Sequence, residues 1–413
     1  TLSSLMGGGD TWTKRLFLEL IERVRKLKNK YKFKVIVGGP GTWQLRNLFK
    51  KLGIDCLVHG EGELVFPELC KRIINGDEIP EEVDGGSVPL DLIPSIKAPS
   101  RAGLVQITRG CPRRCQFCNP TMFNFRSIPI DQVCEEIKVN KTWGMNHVGL
   151  VTEDGFLYGA QGVHVNVEAL KKLIKNIRNL GVTADFTHVS ISGVLQGKDI
   201  ISEYNEAFNH SSKNPYLVQI GIESGSPNII AKYMAGKPRP WKPGDWTWMV
   251  KEATEIMNEN YWYQCYTLIL GLPGETERDA LQTLELISDL RANKCWLFPL
   301  LFIPMGRSLL EKERFTPLKI FEKEIYSELL YTCVDHNIRF SRMILPYMIS
   351  SIKDPIARKT AAKLLYTGLE LINKVKYEIR YNIQELIERI ARVNVSNIID
   401  IFRIAITVVI TAR

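Results

Sequence analysis

Between residues 104 and 303 two kinds of pattern alternate along the chain. Short apolar runs at 104–108, 147–152, 183–190, 217–222, 263–270 and 296–303 predict β-strands. Between them, stretches at 131–141, 166–179, 199–208, 245–258 and 277–291 space their apolar residues three and four apart, which predicts helices. Strand then helix, repeated about six times, gives parallel strands joined by helical crossovers. The expected fold class is α/β, with a partial (β/α)6 TIM-type barrel. In such barrels the chemistry sits at the carboxyl ends of the strands.

Residues 1–75 show the same alternation in shorter form. Strands are predicted over 1–5, 33–37 and 56–58, and helices over 13–30 and 43–52. Glycine turns follow at Gly38-Gly39-Pro40 and Gly60-Glu61-Gly62. This is a fragment of a doubly wound sheet, a fold that binds ligands at its carboxyl edge. In residues 76–100, Pro80, Asp84-Gly85-Gly86, Pro89, Pro94 and Pro99 break every regular period, so a linker is expected. After residue 315 the strand pattern stops, and helices are predicted over 320–335, 354–371 and 382–410. The expected units are a partial α/β domain (1–75), a linker (76–100), a barrel (101–312) and a helical C-terminal region (313–413).

Composition narrows the partners. The 413 residues are 45% hydrophobic and 24% charged, with a formal charge of +9, the balance of a globular chain. The basic residues are spread out and no nucleic-acid-binding motif accompanies them, so no nucleic-acid partner is expected. No apolar run reaches the roughly 18 residues of a membrane span. The most apolar stretch, 398–410, is interrupted by Asp400 and Arg403. Packing over the barrel, peripheral membrane contact and dimer contact are all open to it. Nine cysteines, six of them scattered and three at close spacing, suit a reducing, cytoplasmic setting better than a disulfide framework.

Three of those cysteines carry the chemistry. Cys111, Cys115 and Cys118 lie in Gly110-Cys111-Pro112-Arg113-Arg114-Cys115-Gln116-Phe117-Cys118, directly after the first barrel strand. Thiolates are the usual ligands of iron–sulfur clusters. Three of them hold three irons of a four-iron cluster and leave the fourth open. A structural zinc site needs four closed ligands, and no second Cys or His pair stands near. The loop resembles the signature of the radical S-adenosylmethionine (SAM) superfamily. The resemblance implies a 4Fe-4S cluster on Cys111, Cys115 and Cys118, SAM on the open iron, and an external electron donor of flavodoxin or ferredoxin type.

Later strand ends extend the resemblance over roughly residues 1–312. Thr152-Glu153-Asp154-Gly155 follows the second strand, where the family commonly has an acidic residue for the SAM amino group; Glu153 and Asp154 are both candidates. Gly221-Ile222-Glu223-Ser224-Gly225-Ser226 is similar to a run whose glutamate contacts the ribose hydroxyls, so Glu223 and Ser224 are expected at the cofactor. Gly271-Leu272-Pro273-Gly274-Glu275 matches a segment where backbone approaches SAM; Glu275 either serves there or caps the next helix. Pro304-Met305-Gly306 is similar to the turn beside the adenine, and Phe117 is expected between cluster and adenine. Arg113 and Arg114 are expected at solvent. Ser190, Ser192, Lys237 and His188 lie near strand ends.

Residues 1–75 resemble the second half of a cobalamin-binding domain attached to many such enzymes. That implies further strands before Thr1, and contacts from Ser3, Ser4, Gly38, Gly39 and Gly60 to the corrin tail. The Asp-x-His-x-x-Gly motif of a lower cobalt ligand is not present. The resemblance as a whole implies an enzyme that cleaves SAM reductively and takes hydrogen from an unactivated carbon of a small molecule or lipid. Cobalamin-dependent methylation or C–C bond formation would follow. Without cobalamin, rearrangement, dehydrogenation or lipid ring formation is the alternative, and a non-catalytic Fe–S or zinc module is the alternative of another class. A methylthiotransferase would carry an extra N-terminal cysteine set and an RNA-binding domain, neither of which is evident.

Overall fold

The computed structural model describes residues 12–39, 41–44, 46–313, 319–350 and 352–385. Its first sheet is parallel, in the order β1 (Ile36–Gly38), β2 (Cys56–His59), β3 (Glu82–Asp84). Cys56, Val58 and Leu69, the last from helix Val65–Asn75, form its small core. The strand β3 falls within the stretch expected to be a linker. It holds a single apolar residue, Val83, too few for a periodic signal, and pairing Val83 with Val58 supplies the order. The strand and helix expected over 1–5 and 382–410 lie wholly or mostly outside the described residues.

Two three-stranded parallel sheets follow. One has the order β4 (Val105–Gln106), β7 (His147–Val151), β8 (Thr183–Phe186). The other has the order β11 (Cys295–Leu301), β10 (Trp262–Leu270), β9 (Tyr216–Glu223). A parallel bridge between His188 and Gln219 joins them beyond the end of β8. A short antiparallel pair, β5 (Thr108–Arg109) and β6 (Arg126–Ser127), clamps the two ends of the cysteine loop.

One continuous core fills the space between strands and helices, from Val105 through Phe186 and Ile220 to Leu297. An aromatic knot of Phe186, Tyr204, Tyr216 and Trp262 locks helix Lys198–Phe208 onto β8, β9 and β10. Its polar tips are bonded: the Tyr204 hydroxyl donates to the Ala184 carbonyl, and Trp262 Nε1–H to Asn205 at 2.7 Å. Such aromatics tolerate burial because the polar handle finds a partner. Trp246, one of three clustered tryptophans, is likewise core, and donates to the Ile222 and Ser224 carbonyls.

Two long helices, Glu324–Ser350 and Pro355–Tyr381, pack on each other, and the first packs on β11. Asn337 bonds both the N–H and the carbonyl of Leu297, and the Trp296 indole donates to Ser341. The first helix outruns its expected end at residue 335 and carries Pro346 in its last turns, where the proline removes only one ladder bond. None of the described helices is long and apolar enough to cross a membrane.

The β1–β3 sheet is tied by charge to β5 and β6. Glu61 accepts from Val88 N–H at 2.7 Å and pairs with Arg109 (3.1 Å) and Arg126; Glu63 pairs with Arg109 at 2.6 Å. Asp84 pairs with Arg307, whose guanidinium covers the Trp43 ring, and Trp43 stacks on Phe123.

Candidate active site

The cysteine loop leaves β5 through Gly110, whose φ is +73°. A Cβ there would fall 2.5 Å from the Asn124 carbonyl oxygen, so only glycine fits. Backbone bonds hold the loop: Cys111 N–H to Pro120 O (3.1 Å), Gln116 N–H to Tyr233 O (2.9 Å) and Cys118 N–H to Cys115 O (3.2 Å). The Thr121 hydroxyl donates to the Cys118 carbonyl at 2.8 Å. Burial raises the pKa of all three thiols, Cys111 to about 12, and Cys115 repels charge on both of the others. Thiols so placed become ligands only as a metal displaces their protons.

Lys237 and Glu223 sit beside them. Lys237 Nζ donates to Glu223 Oε1 at 2.6 Å, both buried. Burial opposes the ammonium charge, but Glu223 and Cys115 outweigh it and hold the Lys237 pKa above its usual value. Glu223 has φ +62°, at the end of β9 where the register with β10 shifts. Left-handed backbone at a residue other than glycine costs roughly 1–3 kcal/mol and clusters at functional sites. The carboxylate folds back over Gly221, where a Cβ would lie 1.9 Å from Oε1. Its other oxygen is 3.5 Å from the Thr267 hydroxyl.

The acidic pair after β7 is resolved by its surroundings. Asp154 is buried, and its Oδ2 accepts from Arg113 Nε (3.1 Å), Arg113 Nη2 (2.7 Å) and the Ser190 hydroxyl (2.5 Å). Arg113, expected at solvent, is therefore 3% exposed, and also donates to the Lys237 carbonyl. A buried carboxylate reached by a loop arginine is a long-range pairing that local sequence does not encode. Glu153 has no such partner and its side chain is accessible, yet enough protein surrounds it that burial raises its pKa. Its charge raises the pKa of Cys118, and His188 in turn works to lower its own. The Nδ1 of His188 is buried without a partner.

Ser224 is fully buried and its hydroxyl pairs with Thr283 at 3.1 Å. Gly271 has φ +80° and donates its N–H to Glu275 Oε2 at 2.6 Å; the Tyr326 hydroxyl donates to the same oxygen at 2.9 Å. Burial pushes Glu275 up to about 7. It does not cap the next helix: Thr276 and Asp279 do so reciprocally. Phe117 packs half-buried against the core. Pro304 lies just past β11, two residues before Gly306, whose carbonyl accepts from Asn119 of the cysteine loop. Sequence reasoning did not foresee the Arg113–Asp154–Ser190 linkage or the Tyr326–Glu275 contact, since both partners come from distant segments.

The residues expected at a corrin are dispersed in role. Gly60 (φ +75°) packs against Asp84 and Gly86, which accounts for it without a ligand. Gly38 touches Val58, while Gly39 (φ +93°) has open space beside it. Trp43, four residues on, buries an Nε1 with no partner. Ser3 and Ser4 lie outside the described residues.

No three His, Cys, Asp or Glu side chains among the described residues converge on a single metal ion. A cubane makes a different demand, because its ligands sit on separate corners, each on its own iron. Three mutually repelling thiols of one loop, Cys115 buried and Cys111 and Cys118 partly so, with a buried ammonium beside them fit that demand. Residues 105–287 match the family model of the radical SAM superfamily. That stretch is similar to radical SAM enzymes. The chain is 28% identical over 292 residues to a provisionally named methylthiotransferase of Methanocaldococcus jannaschii, covering 66% of this chain and 60% of that protein. It is 25% identical to a tRNA-2-methylthio-N(6)-dimethylallyladenosine synthase of Magnetococcus marinus, covering 69% and 63%. It thus spans about three fifths of the length of these curated relatives. In fold it is similar to the radical SAM methyltransferase TsrM of Kitasatospora setae, with a TM-score of 0.53 at 17% identity, over 71% of this chain and 60% of that one. One TsrM structure holds tryptophan and a SAM analogue, another cobalamin and a 4Fe-4S cluster.

Proposed function

We propose that this chain binds a 4Fe-4S cluster through Cys111, Cys115 and Cys118 and uses it, with SAM, to modify an unactivated carbon. The observation that carries this reading is the gathering of three thiols of one loop, Cys115 buried and Cys111 and Cys118 partly so, beside the Lys237–Glu223 pair. Bound together, cluster and SAM supply a one-electron cleavage of SAM that yields methionine and a hydrogen-abstracting 5′-deoxyadenosyl radical. The chain's own residues bind and orient. Glu153, accessible and unpaired, takes the SAM ammonium; Asp154 instead anchors Arg113 under the loop. Glu223 offers Oε2 to the ribose hydroxyls while Lys237 holds Oε1. Gly271 keeps backbone close to the cofactor. Lys237 also offsets the negative charge that the deprotonated thiols bring.

The finer reading is methylation or C–C bond formation with cobalamin as the carrier. The open turn at Gly39 would border the corrin. Anaerobic incubation with SAM, dithionite and hydroxocobalamin tests it. S-adenosylhomocysteine and 5′-deoxyadenosine together support methyl transfer; 5′-deoxyadenosine alone supports coupling or rearrangement. Methylthio transfer is a second reading, favoured by the names of the similar proteins. Residues 1–100 hold two cysteines, Cys56 and Cys70. A substrate of lipid or small-molecule type, and a reducing compartment, go with the first reading.

A further inference from the structure

A cleft of about 960 Å³ adjoins the cysteine loop, and its lining includes Arg113, Arg114, Lys232, Tyr233 and Arg239. No carboxylate is among its described lining residues. Arg113 is already neutralised by Asp154 at 2.7 Å. The other three cations are not. Arg114 and Arg239 are exposed, and neither has a hydrogen bond or ion pair among the described residues. Lys232, also exposed, reaches the Pro273 carbonyl at 3.4 Å and lies over the Tyr233 ring, with no carboxylate partner among the described residues. Elsewhere exposed cations find carboxylates, as Arg342 does with Glu370 and Lys251 with Asp289. Arg114 also stands at a left-handed φ of +55°. Such backbone is costly away from glycine and persists where a function needs it.

Three unbalanced cations around one concavity concentrate positive potential there and select an anion. A carboxylate brings one charge and two oxygens. A phosphate brings between about one and a half and two charges near neutral pH, with three acceptor oxygens. Two guanidiniums can each meet such a group through a pair of parallel N–H donors, and a lysine adds a point charge. The volume lies in the range of small-molecule pockets, roughly 300–1,000 Å³. We infer that this cleft binds a phosphate-bearing ligand, with the phosphate held by Arg114, Lys232 and Arg239. The residues assigned above to SAM, Glu153, Glu223 and Gly271, are absent from the lining, so the inference does not rest on that assignment. Arg114 lies between Cys111 and Cys115, so a ligand gripped there also restrains the cysteine loop. A soluble phosphorylated metabolite and a phospholipid headgroup present the same chemistry.

The test is a titration of inorganic phosphate against the anaerobically reconstituted full chain, followed by the phosphorus-31 NMR line width, with iron counted separately. Saturable binding is expected. Lys232→Gln/Arg239→Gln should weaken it about tenfold or more. Arg114→Gly should weaken it as well while keeping the iron content, because glycine accepts the left-handed φ that arginine resists. Should that variant lose iron, the Lys232→Gln/Arg239→Gln result decides alone. Lys171→Gln/Lys172→Gln, exposed on helix Val167–Asn179 and outside the lining, should change nothing. The absence of saturable phosphate binding, or unchanged binding in the cleft variants, overturns the inference. So does acetate that competes as well as phosphate, since a carboxylate would then suffice. Sedimentation with phosphatidylcholine vesicles, with and without phosphatidic acid, separates the two sources. Capture that needs phosphatidic acid and is lost in Lys232→Gln/Arg239→Gln supports the cleft as a headgroup site. Phosphate binding without capture supports it as a site for a soluble ligand.

Discussion

Lys237 and Glu223 neutralise one another 2.6 Å apart in a buried position behind the cysteine loop. Removing one partner leaves the other charge buried, which typically costs about 3–5 kcal/mol, whereas replacing both with apolar or neutral groups is often tolerated. Lys237→Met should therefore lower stability by about that amount in urea unfolding, and Lys237→Met/Glu223→Gln should recover most of it while still failing to position SAM. Glu275 makes a second prediction. Its pKa rises from an ordinary value of 4.5 to about 7 on folding, chiefly through burial. The unfolded chain ionises first as pH rises, so this residue's contribution is most favourable below about 4.5 and is lost between there and about 7. Glu275→Gln should gain stability over the unmodified protein across that window and keep the gain at pH 8; a pH series of thermal unfolding checks this. The residues were unequally legible in the sequence. Cys111, Cys115 and Cys118 stood out because their spacing is local. The division of labour between Glu153 and Asp154 did not, because it depends on Arg113 folding under the loop to reach Asp154.

At the scale of elements, glycines fix where the cysteine loop lies. Gly236, after helix Pro227–Met234, lies so close to the loop that a Cβ would fall 2.0 Å from the Arg113 carbonyl oxygen. Gly236→Ala should push the loop away, costing about 1–3 kcal/mol as overpacking does, and lower the iron retained per chain after anaerobic reconstitution. Gly244→Ala, where the added atom meets nothing within 4 Å, is the matched control. Strands and helices between 104 and 303 were legible because each carries several apolar residues in one period. The strand β3 was not, having one apolar residue to show, and neither was the continuation of the 324–350 helix beyond residue 335.

For the whole molecule, what matters is how the β1–β3 sheet is held to the strands that carry the cysteines. Glu61 is the hub. Burial works against its charge, but Arg126, the Val88 N–H and Arg109 together hold its pKa below the usual carboxylate range. Its stabilisation is present above the ordinary glutamate pKa and is lost as pH falls below it. Glu61→Gln should speed hydrogen exchange across residues 56–63 at pH 7 and reduce the loss of protection that the unmodified protein suffers on acidification. This clasp was invisible in the sequence, where Glu61 looked like part of a ligand turn, because its partners Arg109 and Arg126 flank the cysteine loop. The central claim is that three sulfurs of that loop together hold iron. Mössbauer spectra and iron counts of anaerobically reconstituted protein, compared with Cys118→Ala, test it most directly. A four-iron cubane in the unmodified chain, lost or reduced in nuclearity in the variant, is the result expected; an identical spectrum from the two, or no cluster iron in either, would contradict it.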